Sequence, residues 1–208
     1  KSLVNGQGSS QSYGQSADRY EIHELVRHFA GEELAKAGET RSARDRHAAW
    51  YIELATSSED ALHGSQQVQW LQRLDADLQN FEGALRWITG GGSTIQPGEG
   101  WRMISALWWF CFVRGYWSDL YNWLMHFYRL NPPVDTAVRA IAIGRTGNLA
   151  WLRGETQLAE RLVAEAYDAA LQSGNEIAVA MSWYAIGQVY SQGEPARSLA
   201  AYRESLAI

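Results

Sequence analysis

The chain has 208 residues, 46% hydrophobic and 20% charged, with a formal net charge of −5. That is length enough to bury a sizeable core in one or two domains, while an acidic balance with no dense Lys/Arg run excludes direct nucleic-acid binding through a basic face. The single cysteine, Cys111, excludes an internal disulfide and fits a reducing, cytoplasmic setting; no apolar run approaches the roughly 18–20 residues of a membrane span.

No secretory leader is present, and the opening residues start mid-pattern, so the chain is expected to be a fragment of a longer protein. Lys1–Val4 and Arg19–Ile22 read as short strands. Between them Asn5–Asp18 is rich in Gly, Ser and Gln, with too little apolar surface to pack, which predicts a hairpin with a long tip. From His23 the period changes: Leu25, Val26, Phe29, Ala30 and Leu34 recur at helical spacing up to Gly38.

A second helix is expected from Ser42 to Thr56, with Ala43, His47, Trp50, Tyr51 and Leu54 on one face. Its other face, with Arg41, Arg44, Asp45 and Glu53, reads as solvated surface. Gln66–Ile88 continues the helical period, with a break near Asp75. Gly90–Gly100 follows, with three consecutive glycines, Pro97 and two further glycines, and reads as a flexible linker between two helical blocks. It has no Lys and so is not a phosphate-binding loop.

Beyond the linker, Gly115, Gly154 and Gly193 stand 39 residues apart. The positions five, nine and thirteen beyond each glycine match too: Leu120, Ala159 and Ser198; Leu124, Val163 and Tyr202; Tyr128, Tyr167 and Leu206. Self-similarity at such a period marks a stacked repeat array. Each unit reads as helix, glycine turn, helix: Met103–Val113 with Trp117–Leu130, Thr136–Leu152 with Gln157–Ser173, Ile177–Ser191 with Ala196–Ile208. A glycine at each turn supplies the positive φ that a tight helical hairpin needs.

These units resemble tetratricopeptide repeats of the longer, roughly 40-residue variety. Unit two carries the pattern with Gly147, Gly154, Ala159 and Ala166, and unit three with Gly193, Ser198, Tyr202 and Ser205; there Gly187 lies one residue closer to the turn, so its first helix is expected to slip by one. In unit one Trp108 replaces the first-helix glycine, and Leu120 and Phe127 replace the small residues, as in a capping unit. Upstream, the run Arg19–Ala30 resembles the end of the winged-helix domain in signal-transduction ATPases of the NB-ARC/STAND type. Ile22-His23-Glu24 stands where that family has Met-His-Asp, and Lys1-Ser2-Leu3 matches its preceding strand. The pattern Trp70-Leu71…Leu74-Asp75…Leu78…Asn80-Phe81…Ala84-Leu85-Arg86-Trp87 resembles the helical segment that joins winged helix to repeats in large ATP-dependent transcriptional activators.

The resemblance implies an all-α fold: a right-handed α-solenoid of tetratricopeptide-like hairpins behind a small winged-helix remnant of β-hairpin and helix. Residues 1–40 would be the end of the winged helix, 41–89 a helical connector, 90–100 the linker, and 101–208 three repeats (101–133, 134–174 and 175–208). It implies a non-catalytic protein-interaction and sensor segment of a multidomain signal-transduction ATPase or transcriptional regulator. Its partner would be a protein, a peptide or the parent's own nucleotide-binding domain, with no membrane and no nucleic acid bound by this segment. A free-standing adaptor that binds peptides and a small-molecule receptor domain are the alternatives.

In such arrays the first helix of each unit lines a concave face. At 39-residue spacing Phe112, Trp151 and Tyr190 form one row and Trp109, Asn148 and Gly187 another. Trp109, Phe112, Asn148, Trp151, Trp183 and Tyr190 are therefore the groove candidates. Ten Trp, seven of them between Trp70 and Trp123, read first as a core of large residues, with an aromatic-lined groove as the alternative; for Phe112, Trp151 and Tyr190 core and groove stand equal. By the resemblance His23 is a nucleotide sensor in a full-length parent that carries ATP or ADP; within this segment it reads as a helix-start residue, and no cofactor or metal site is expected. His23 and His28 are five residues apart, which puts them on different helix faces, so they do not make the H-E-x-x-H zinc pair. No nucleophile elbow is present.

Overall fold

The computed structural model describes residues 4–6 and 20–208. Of the expected hairpin, Lys1–Leu3 and residues 7–19, including most of the tip, lie outside the described residues. Strands β1 (Val4–Gly6) and β2 (Tyr20–Ile22) pair antiparallel, with Val4 opposite Ile22 and Gly6 opposite Tyr20. Elsewhere the described regular structure is helical, so the fold is all-α.

Helix α1 (Glu24–Lys36) starts at His23, whose Nδ1 accepts the Leu25 amide at 3.3 Å. Glu24 in its first turn and Lys36 in its last complement the helix dipole. Helix α2 (Thr40–Ser58) turns Ala48, Leu54 and Ala55 into the core, followed by a 3-10 turn at Ala61–His63 that buries Leu62. Helices α3 (Gln67–Ala76) and α4 (Leu78–Thr89) meet at Asp77, two residues beyond the expected break. The Asp77 carboxylate accepts from the Tyr51 hydroxyl at 3.1 Å and from Asn80 Nδ2 at 3.0 Å, tying the break to α2. Phe81, Ala84, Leu85 and Ile88 form the buried face of α4, which packs on α2 and on α5 (Pro97–Ala106).

Two expectations change here. Asp45 is not part of an idle solvated face. Its carboxylate accepts from Trp87 Nε1 (2.7 Å), Ser93 Oγ (2.6 Å), Thr94 Oγ1 (2.7 Å) and the Thr94 amide (3.2 Å). The segment 90–100 is accordingly latched to α2 in its middle, and from Pro97 it is already helix. Gly98 and Gly100 are buried helix residues: a Cβ on Gly98 would overlap the Pro133 carbonyl oxygen, and one on Gly100 would stand 2.7 Å from Phe127 Cζ. These glycines serve close packing, which composition alone does not distinguish from flexibility.

The remaining helices are α6 (Trp108–Arg114), α7 (Trp117–Leu130), α8 (Thr136–Leu152), α9 (Thr156–Ser173), α10 (Glu176–Val189) and α11 (Pro195–Ala207). The second helices of the three hairpins, α7, α9 and α11, begin at 117, 156 and 195, which keeps the 39-residue period. Helix α5 begins at 97, the same interval before α8 at 136, so the first hairpin starts at Pro97 and not at Trp101. Its first helix, expected as one piece over Met103–Val113, is broken at Leu107 into α5 and α6. Trp108 stands where unit two has Gly147, and a Cβ on Gly147 would already be 2.8 Å from Val163 Cγ1.

The three turns are not alike. Gly115 (φ 81°) and Gly154 (φ 79°) end their helices in left-handed geometry. Each closes the same pair of bonds: the Gly115 amide to Phe112 O and the Tyr116 amide to Cys111 O, the Gly154 amide to Trp151 O and the Glu155 amide to Ala150 O. This is the Schellman arrangement. Gly193 does not have a positive φ, against expectation. Helix α10 starts forty residues after α8 and ends at Val189, leaving Tyr190–Glu194 as a longer connection closed by the Glu194 amide to Tyr190 O. The first helix of unit three has slipped by one, and Gly187 takes over the role of Gly147: a Cβ there would meet the Tyr202 ring at 2.6 Å.

One continuous core runs from Ala48 and Leu54 through Phe81, Trp101, Phe110 and Phe127 to Val163 and Ala201. Leu120 and Phe127, the large residues in unit one's small positions, are fully buried, with Gly100 making the room. No described helix is long and apolar enough to cross a membrane.

Candidate binding groove between α9 and α11

The expected aromatic rows do not form one surface. Phe112 is held in a stack, its ring 5.8 Å from Trp108, 5.9 Å from Trp109 and 5.4 Å from Trp117, whose Nε1 donates to Phe112 O at 2.7 Å. Trp109 also lies 5.1 Å from the His63 ring, so the turn after α2 covers it. Trp151 is half-buried and packs on the core. Asn148 is buried, and its Oδ1 has no hydrogen-bond partner among the described residues. Beside it on α8, Arg145 donates to the Ser105 carbonyl oxygen and to Ser105 Oγ (3.0 Å), and pairs with Glu59 at 3.1 Å. Burial lowers the Arg145 pKa from its ordinary value, and Glu59 opposes that shift.

Trp183 and Tyr190 are half-buried against the same core and also border open space. Trp183 on α10 and Tyr190 just past its end lie at the floor of an open groove of about 620 Å³ whose walls are α9 and α11. That volume lies within the range of ligand sites, roughly 300–1,000 Å³. The Trp183 ring is 4.6 Å from Tyr167 on α9, and the Arg197 guanidinium of α11 sits 3.6 Å over the Tyr190 ring. Val163 and Ile186 complete an apolar floor, and Glu160, Asp168 and Glu204 stand along the walls.

The preceding pair, α7 and α9, is built differently. One period earlier the corresponding helices are stitched together by side chains. The Tyr121 hydroxyl donates to Glu155 at 2.5 Å and the Tyr128 hydroxyl to Glu165 at 2.7 Å. Arg153 pairs with Glu155 at 3.0 Å and Arg139 with Glu165 at 3.2 Å. Burial and the bond to Glu155 push the Tyr121 pKa up to about 12, and the bonds from Tyr121 and Arg153 draw Glu155 down. At the same 39-residue spacing Met125 becomes Ala164, Arg161 becomes Ala200 and Leu162 becomes Ala201. Three large side chains are replaced by methyl groups, and the three alanines line the groove. Tyr121 becomes Glu160, so one stitching hydroxyl is gone; among the described residues Tyr167 does not repeat the bond of Tyr128 but lies against Trp183.

Sequence reading missed Tyr167, Arg197, the three alanines and the three carboxylates. The signal was present in the second helices compared position by position, where the change from large to small is legible. Chemically the lining offers aromatic faces, aliphatic surface and carboxylates, with no Ser, Thr, Cys, His or Lys among its side chains. Cys111, elsewhere in the core, has its thiol pushed up to about 12 by burial, which leaves it protonated and unreactive at neutral pH. Among the described residues no three His, Cys, Asp or Glu side chains gather as a metal site. No protein-family model matches the chain, and no curated protein or solved structure matches it either.

Proposed function

We propose that this chain is a non-catalytic interaction and sensor segment, which holds a protein or peptide partner in the groove between α9 and α11. The observation that carries this is the contrast between two successive helix pairs, one stitched by tyrosine–glutamate and arginine–glutamate pairs and the next lined by alanines over an aromatic floor. In this reading helices α5–α11 are tetratricopeptide-like hairpins of a right-handed solenoid, α2–α4 the connector, and the β1–β2 pair with α1 the end of a winged helix.

The parent is then a signal-transduction ATPase or transcriptional regulator of the NB-ARC/STAND type. The resemblance at Ile22-His23-Glu24 and at Trp70–Trp87 supports that assignment. Occupation of the groove would bias the nucleotide domain between two forms, which requires a partner that binds one form more tightly than the other. In such a parent His23 would read the bound nucleotide; in the chain itself its Nδ1 is engaged with the Leu25 amide. The same groove, complete within one chain, also suits a free-standing peptide adaptor.

One experiment separates the two readings. In a parent ATPase, the gene upstream of Lys1 encodes a P-loop, and peptide affinity of the full-length protein differs between its ADP and ATP forms. Absence of any nucleotide-binding module, with peptide binding retained, leaves the adaptor.

A further inference from the structure

We infer that the partner segment taken by the α9–α11 groove is basic and amphipathic, a peptide in which Lys or Arg alternates with apolar side chains. This rests on the interaction reading above and adds the chemistry of the partner.

The argument is the charge left over when the groove opened. In the α7–α9 pair the carboxylates Glu155 and Glu165 are each engaged twice, hydrogen-bonded by a tyrosine hydroxyl and paired with an arginine. One period on, the residue matching Arg153 is Gln192, and those 39 and 40 residues after Arg139 are Ala178 and Val179. Both arginines are lost. Two carboxylates are gained, since Tyr121 becomes Glu160 and Arg129 becomes Asp168, while Glu204 keeps the place of Glu165. None of Glu160, Asp168 and Glu204 has an ion-pair partner among the described residues. Among the described residues the cation that lines the groove is Arg197, which is laid on the Tyr190 face and pairs with Glu194 at 3.6 Å.

Like charges gathered around a concave wall focus a negative field into it. Under them lie the faces of Tyr167 and Trp183, which attract cations through the ring quadrupole and apolar side chains through burial. A neutral apolar peptide would leave the carboxylates unused, and an acidic one would be repelled. A basic amphipathic segment meets both halves of the surface.

The test uses the full chain and two fluorescein-labelled peptides of one hydrophobic pattern, one built from Lys and Leu and the other from Glu and Leu, read by fluorescence anisotropy. The Lys/Leu peptide is expected to bind at least about tenfold more tightly, with affinity falling as salt rises. The double variant A164M/A200L refills the groove with side chains at exposed positions and leaves the net charge untouched. It should weaken Lys/Leu binding by about tenfold or more, because each larger side chain takes space that the peptide would occupy, while circular dichroism and melting stay as in the parent chain. E204Q/D168N should weaken it as well and flatten the salt dependence.

Equal binding of the two peptides overturns the basic-partner inference and leaves the interaction reading standing. Binding of the Lys/Leu peptide that is indifferent to A164M/A200L places it elsewhere on the acidic surface and overturns the inference too. Failure of both peptides to bind sinks the groove as a peptide site altogether.

Discussion

Gly100 on α5 lies so close to Phe127 on α7 that a Cβ there would stand 2.7 Å from Cζ of the fully buried ring. The pair is how the first hairpin accommodates a phenylalanine where its successors carry Ala166 and Ser205. Gly98, one half-turn away, meets the Pro133 carbonyl oxygen, which is backbone and cannot rotate aside. Gly83, in the middle of α4, has open space around its missing Cβ. Three Gly→Ala changes in helices should therefore split by sign. Gly83→Ala should stabilise by about 0.5–1 kcal/mol through helix propensity. Gly100→Ala should destabilise by roughly 1–3 kcal/mol through overpacking, and Gly98→Ala by more. Urea unfolding of the three variants checks the order; a destabilised Gly83→Ala contradicts it.

The two kinds of turn make a second prediction. Gly154 has a φ of 79°, while Gly193 has no positive φ. Alanine at 154 should cost roughly 1–2 kcal/mol, the penalty of left-handed geometry for a residue with a Cβ. Alanine at 193 should be near neutral. Thermal melts of the two variants test whether the shared 39-residue spacing conceals different backbone roles.

Asp45 joins α2 to the segment after α4. Hydrogen bonds from Ser93, Thr94 and Trp87 hold its carboxyl well below the usual carboxylate range. A folded pKa below the unfolded one contributes stability that is present above the unfolded value, near 4, and lost as pH falls through the folded value. Asp45→Asn should thus be less stable than the parent at neutral pH, and the gap should narrow as pH drops below about 4. Melting temperatures across acid pH read this out directly.

Tyr121 gives the opposite window. Burial and its bond to Glu155 raise its pKa from 10.0 to about 12, so the protonated phenol is favoured in the folded state. The stability it contributes is complete below about pH 10 and lost as pH rises towards 12. Tyr121→Phe should remove part of the alkaline loss of stability, and one late-titrating phenol should vanish from the phenolate absorbance curve. Tyr128, raised for the same reasons with Glu165 as its acceptor, should remain among the late-titrating phenols in that variant.

The site was only half legible in advance because residues such as Trp151 and Trp183 look alike in a chain read one position at a time. Burial of an aromatic ring is a property of what faces it, and the facing groups come from other helices. Trp151 and Trp183 both pack on the core, but Trp183 also meets Tyr167 and borders the groove with Ala164, Ala200 and Ala201.

What the sequence by itself determined is local and periodic. The starts of α7, α9 and α11 at one interval, the Schellman turns at Gly115 and Gly154, and the one-residue slip announced by Gly187 all follow from side-chain size and backbone freedom within a few residues. Tertiary structure decided the rest, because it depends on which surfaces meet. It turned a glycine-rich linker into the packed start of α5, broke the first helix of unit one at Leu107, engaged Asp45 across nearly fifty residues, and left a groove between α9 and α11.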